Sequence, residues 1–127
     1  MLHQYARLFA GLLLLLALPV TRAADPIQTD GDKYKIVLEN DRVRVLEYRD
    51  QPGQRTHEHQ HPAFVVIALE PFKRAIHLAD GRTLVREFKA GDVLYSKGET
   101  HTGENVGSVP THGILVELKD AREPGSP

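Results

Sequence analysis

Residues 53–69 read GQRTHEHQHPAFVVIAL: three histidines at alternate positions, then a continuous apolar run. Alternate residues of an extended strand point to one side. His57, His59 and His61 therefore project together, while Glu58 and Gln60 point away. Val65, Ile67 and Leu69 continue the phase of His61, and Phe64, Val66 and Ala68 form the opposite face. A strand with no polar position is one covered on both sides. The stretch predicts a polar cluster set against a buried wall, where an imidazole must find a partner.

Working outward, the flanking sequence is a succession of short strand signals. Tyr34–Asn40 and Arg42–Arg49 are joined at Asn40-Asp41, a turn pair. In the second of these the apolar alternation slips by one between Val45 and Leu46, which predicts a bulge there. Asp50–Gly53 is a turn. RAIHL (74–78) and RTLVREF (82–88) enclose Ala79-Asp80-Gly81, a hairpin signal because glycine readily takes positive φ. Val93–Ser96 lies between turns at Ala90-Gly91-Asp92 and Lys97-Gly98, and His112–Leu118 closes the series. No 10–15 residue helical period appears. Strands recurring every 8–12 residues with turn punctuation predict an all-β sandwich or barrel.

The chain has 127 residues and a formal charge of −1, which fits one domain. With no basic cluster or basic helix, it is not built to bind nucleic acid. At the N-terminus, Arg7 precedes the apolar run Leu8–Leu18, and Thr21 and Ala23 follow as small residues. That order predicts a secretory signal peptide over 1–23, cut after Ala23. An uncleaved anchor is the alternative, although the run is shorter than the roughly 18–20 residues a span needs. Cleavage would leave fourteen cations against seventeen acids, a mature charge of −3, in a periplasmic or secreted protein with no membrane segment. With no cysteine the fold has no disulfide, so packing, oligomerisation or a metal must stabilise it. The expected layout is an extension over 24–32, a β domain over 33–119 and a flexible tail over 120–127.

Imidazole is a common ligand for first-row transition metals, and same-face histidines are placed to share an ion. A further ligand must come from another strand, and His101 in Gly91–Asn105 is the candidate. The competing reading is a histidine-rich surface strand without a site, as expected for a lone histidine such as His77. The buried wall just downstream favours the metal.

The spacing Gly53-x5-His59-x-His61 resembles the first motif of the cupins, and Gly91, His101 and Asn105 resemble the second, with its H-x3-N ending intact. The resemblance covers nearly the whole chain after residue 23 and implies a single jelly-roll barrel of two antiparallel sheets. It implies His59, His61 and His101 as ligands of a divalent transition metal (Fe, Mn, Zn or Ni) and leaves His57 as an accessory. The family's acidic ligand would fall at Val65, Lys97 stands in place of the second motif's proline, and one residue is missing before His101. The fourth position is left to water, His57 or Glu99. Three neutral ligands preserve the charge of a divalent ion and favour a small anionic molecule bound directly to it. Val65, Ile67, Tyr95 and His112 are the expected pocket lining, with Tyr48 a weaker candidate. The Phe64, Val66 and Ala68 face is expected to be covered by a homodimer partner or by a shielding N-terminal strand. Three functions follow: an oxygenase-type metal enzyme, a non-catalytic module for metal or carboxylate, and an inert structural barrel. The resemblance also carries an association with amino-acid breakdown of the β-alanine type.

Overall fold

The computed structural model describes residues 23–119. The expected signal peptide, but for Ala23, and the expected tail lie outside the described residues. Within 24–32 the chain forms a short helix, α1 (Pro26–Asp30), which the strand-based reading did not anticipate. Its start is written locally: the Asp25 side chain accepts from the Ile27 amide at 2.9 Å, and Pro26 stands at the first helical position.

Nine strands follow: β1 (Tyr34–Glu39), β2 (Val43–Asp50), β3 (His59–His61), β4 (Phe64–Ala68), β5 (Phe72–Leu78), β6 (Thr83–Phe88), β7 (Val93–Ser96), β8 (Glu99–Asn105) and β9 (Thr111–Leu118). They form two antiparallel sheets, ordered β1-β2-β9-β4-β7 and β3-β8-β5-β6. The all-β expectation and the two-sheet jelly roll are what the chain adopts. Tyr34, Leu46, Tyr48, Phe64 and Leu115 make the apolar core between the sheets, with Ile27 of α1 and Val66 packed against it.

Two expectations change. The bulge lies on β1, where Val37 is the extra residue between Ile36 and Leu38. Opposite it, β2 runs unbroken past Val45 and Leu46 along β9. The apolar alternation slips in β2 because Val43 and Val45 are on the outer face of the sheet. Arg44, Leu46, Tyr48 and Asp50 face inward.

The second change concerns the wall. β3 belongs to the four-stranded sheet and β4 to the five-stranded one, so the chain crosses between sheets at Pro62-Ala63. The crossing resets the alternation, and His61 and Phe64, three residues apart, both point inward with ring centroids 5.1 Å apart. Phe64 and Val66 therefore line the interior, and Val65 and Ile67 lie on the outer face. There Val65 stands in a cross-strand row with Leu38, Val45, Val116 and Tyr95. The face expected to need covering by a second copy or an N-terminal strand is thus inside the barrel.

Candidate metal centre

β3 and β8 pair with His59 directly opposite His101 and His61 opposite Glu99. This register puts the His59, His61 and His101 rings on the inner face of one sheet. All three are buried, His59 completely, and one ligand nitrogen from each lies within 4.8 Å of the others. Gly98 sets the turn entering β8. Its φ is +99°, and a Cβ there would come within 3.0 Å of the Pro62 carbonyl carbon and 3.1 Å of the His61 oxygen. Only glycine allows that approach.

Each ring is held from behind. The His59 Nδ1–H donates to the His57 carbonyl at 2.9 Å, His61 Nδ1–H to Glu117 Oε1 at 2.7 Å, and His101 Nδ1–H to Glu99 Oε1 at 2.8 Å. A carbonyl or carboxylate accepts only, so in the neutral rings the proton sits on Nδ1 and the lone pair on Nε2. The His59 and His61 Nε2 atoms face each other at 3.0 Å. Between two neutral rings this is a contact of two lone pairs, which a cation shared between them would relieve. Burial, reinforced by the charges His61 and His101 would carry, pushes the His59 pKa down to about 4, which opposes a proton there. Burial lowers His101 as well, against the hydrogen bond to Glu99. The donor set, three buried imidazoles with fixed tautomers and convergent lone pairs, fits a transition-metal ion.

The supporting groups come from distant parts of the chain. Glu117 is buried at the end of β9, and Arg44 Nε donates to its second oxygen at 2.6 Å. Burial works against the Glu117 carboxylate, but hydrogen bonds from His61 and Arg44 outweigh it and hold its pKa below the usual range. Arg44 Nη2 also donates to Asp25 at 2.6 Å, tying the start of α1 to the same chain of contacts. Asp30, at the end of α1, accepts from the His57 amide at 3.0 Å. Ala24 accepts from the Gln60 amide at 3.0 Å. Sequence reasoning found none of these supports. Glu117 had a signal, a lone carboxylate in an otherwise apolar strand, that went unused.

The remaining expected site residues separate cleanly. His57 turns away from the cluster: its ring Nδ1 meets Asp30 at 3.1 Å and the side chain is 80% exposed. Glu99 lines the cavity, and its carboxylate is engaged with His101, which holds its pKa low. His112 lies on the outer face, where its Nε2 bonds Glu47 at 2.9 Å, because Thr111, Gly113, Leu115 and Glu117 take the inner positions of β9. Tyr95 reaches only the cavity rim and is 62% exposed. Tyr48 lines the interior, as does Tyr34, which was not anticipated. Burial holds both phenols well above their usual pKa.

The cluster opens into a cavity of about 570 Å³. Phe72, Ile76, Leu84, Phe88 and Leu94 form an apolar side, and Arg82, Arg86, Lys97, Asp80 and Glu99 contribute charge. Arg82 is paired with Asp80 and Glu99 with His101. Arg86 and Lys97 are left without an ion-pair partner among the described residues.

The two-sheet barrel has the fold of solved cupins, also called the double-stranded β-helix. Solved structures agree. A cupin domain from Bordetella pertussis is 20% identical, matches 80% of this chain and all of its own, and gives a TM-score of 0.64. An uncharacterised conserved protein with a double-stranded β-helix domain from Klebsiella pneumoniae is 26% identical over 71% of this chain and 78% of its own, with a TM-score of 0.56. An RmlC-like cupin family protein from Methanocaldococcus jannaschii is 14% identical over 68% and 78%, also with a TM-score of 0.56. No protein-family model and no curated protein matches the chain.

Proposed function

We propose that this protein holds a divalent transition metal on the Nε2 atoms of His59, His61 and His101 and uses it to bind a small anionic molecule in the adjoining cavity. The observation that carries the reading is the 3.0 Å approach of two buried Nε2 lone pairs whose tautomers are fixed by acceptors behind them. A surface histidine cluster without a site has no reason to be buried, to be aligned from behind, or to leave such a contact. When bound, the metal would supply Lewis acidity and an undiminished positive charge, since its three protein ligands are neutral. The chain's own part is to orient the rings through Glu117, Glu99 and the His57 carbonyl, to keep water off the apolar side, and to draw anions inward with Arg86 and Lys97.

Work outside the cytoplasm is part of the same proposal. A cut after Ala23 leaves intact the contacts that begin at Ala24: its carbonyl on Gln60, the α1 cap at Asp25 and the Asp25–Arg44 ion pair.

Metal analysis of the protein purified without chelators is the test. The expected result is near-stoichiometric metal in the wild type and loss of metal from a folded His101→Ala variant. Metal-free wild type that also takes up none from added Fe(II), Mn(II), Zn(II) or Ni(II) would falsify the reading. Oxygen consumption by an iron-loaded protein with a thiol or carboxylic acid would extend the function from binding to catalysis.

A further inference from the structure

We propose that the Tyr34 hydroxyl is the donor that positions the anion at this centre, standing where no fourth protein ligand does; the inference rests on the metal reading above. Tyr34 begins β1, on the sheet opposite the histidines, and its buried ring packs on Tyr48 at 4.6 Å between centroids. The same ring meets His59 edge-on at 5.5 Å and lies 5.8 Å from His61. Its hydroxyl is 3.2 Å from His59 Nε2. Because the His59 proton is on Nδ1, Nε2 is the acceptor and Tyr34 the donor.

This hydrogen bond uses the lone pair that a metal would take. A metal on His59 therefore removes the acceptor of a buried hydroxyl. Leaving such a donor unpaired costs about 1–3 kcal/mol. The fold offers Tyr34 no other hydrogen-bond partner among the described residues. Tyr48 is different: its hydroxyl donates to Asp50 at 2.6 Å and accepts from Arg74 at 3.0 Å, so both its roles are filled by protein. Once the metal is in place, the Tyr34 proton is satisfied by an acceptor that arrives with the bound molecule or water. An anionic oxygen, nitrogen or sulfur beside His59 is that acceptor. Tyr34 thus selects anions that present a lone pair toward β1, and it is a positioning residue.

The experiment uses the protein loaded with Co(II), whose visible absorption reports its other ligands, titrated with acetate and with azide. Tyr34→Phe keeps the ring and removes only the oxygen. The expected result is a Co(II) affinity at least equal to that of wild type and an anion Kd raised about tenfold, the effect of one lost hydrogen bond to a charged acceptor. A role confined to packing would lower thermal stability and leave the anion Kd where it was, which would overturn the inference. A second readout needs no variant: the infrared stretch of bound azide in the wild type should shift on transfer to D2O, and no shift would count against a donor at that place. Wild type that binds Co(II) but gives equal anion affinities with and without the hydroxyl sinks this inference alone. Wild type that takes up no Co(II) sinks the metal reading and this one together.

Discussion

Two polar clusters are buried in this barrel, and they are built on opposite principles. Toward one end, Asp50, Arg74, Tyr48, Thr111 and Asn105 form a closed set. Arg74 Nη1 donates to Asp50 at 2.5 Å and to Thr111 at 3.2 Å, Asn105 Nδ2 donates to the other Asp50 oxygen at 3.0 Å, and the Arg74 guanidinium lies 4.6 Å over the Tyr48 ring. One positive charge meets one negative charge and the interacting hydroxyls have partners, so the set asks for nothing from outside. The histidine cluster has its donors fixed outward and its lone pairs turned toward one another. Buried polar groups of the first kind specify a structure; groups of the second kind wait for a ligand. The comparison separates a structural network from a site more clearly than burial does, since both are equally buried.

The largest effect should come from breaking the closed set. Arg74→Met leaves Asp50 buried without its counter-charge, and such a loss costs about 3–5 kcal/mol. The midpoint of urea unfolding should fall accordingly, and any variant that still folds should bind metal as the wild type does. A simultaneous loss of metal affinity in folded protein would mean the two clusters are one unit.

Next in size is a change behind the open set. Glu117→Gln keeps the shape but removes the charge that fixes the His61 tautomer and balances Arg44. Metal affinity measured by competition with a chromophoric chelator should fall about 10–100-fold, the usual cost of losing such a support. An unchanged affinity would show that the alignment of His61 does not depend on the carboxylate.

The smallest effect, and the one that sharpens the contrast, is with pH in the metal-free protein. His59 has a folded pKa of about 4 against an unfolded value of 6.5. The unfolded chain therefore binds a proton that the folded one refuses, and stability falls as pH drops from about 6.5 to about 4. For Asp50, burial opposes the charge, but Arg74 and the Tyr48 hydrogen bond outweigh it and hold the pKa below 3.8. Its contribution is intact above pH 3.8 and is lost as pH falls further. Unfolding midpoints against pH should show an upper limb that shrinks in His59→Gln and a lower limb that shrinks in Arg74→Met. One limb common to both variants would contradict the separation.

Much of this was legible in the residues. The spacing of His59 and His61 from Gly53, and of Asn105 from His101, marked three side chains that the fold does bring together. The faces of the strands were not legible, for a physical reason. Apolar alternation locates the core only when the interior is apolar. Here the inner face carries the chemistry: Arg44 and Asp50 on β2, Glu117 on β9. The outer faces hold Val43, Val45, Ile114 and Val116. Reading hydrophobicity as inwardness therefore reversed β9 and displaced the bulge. In β4 the error had another source, the change of sheet at Pro62-Ala63, which no local pattern announces.

The sequence by itself determined the strands, their turns and the histidines that face one way on β3, because those depend on neighbours one to five residues apart. Only the tertiary structure decided that Glu117, Glu99 and a carbonyl fix the three tautomers, that Asp30 draws His57 aside, and that Tyr34 reaches His59 across the barrel. Those contacts join residues as far as 56 positions apart. Their existence depends on which strands pair and which way each faces, and that is settled by the packing of the two sheets as a whole.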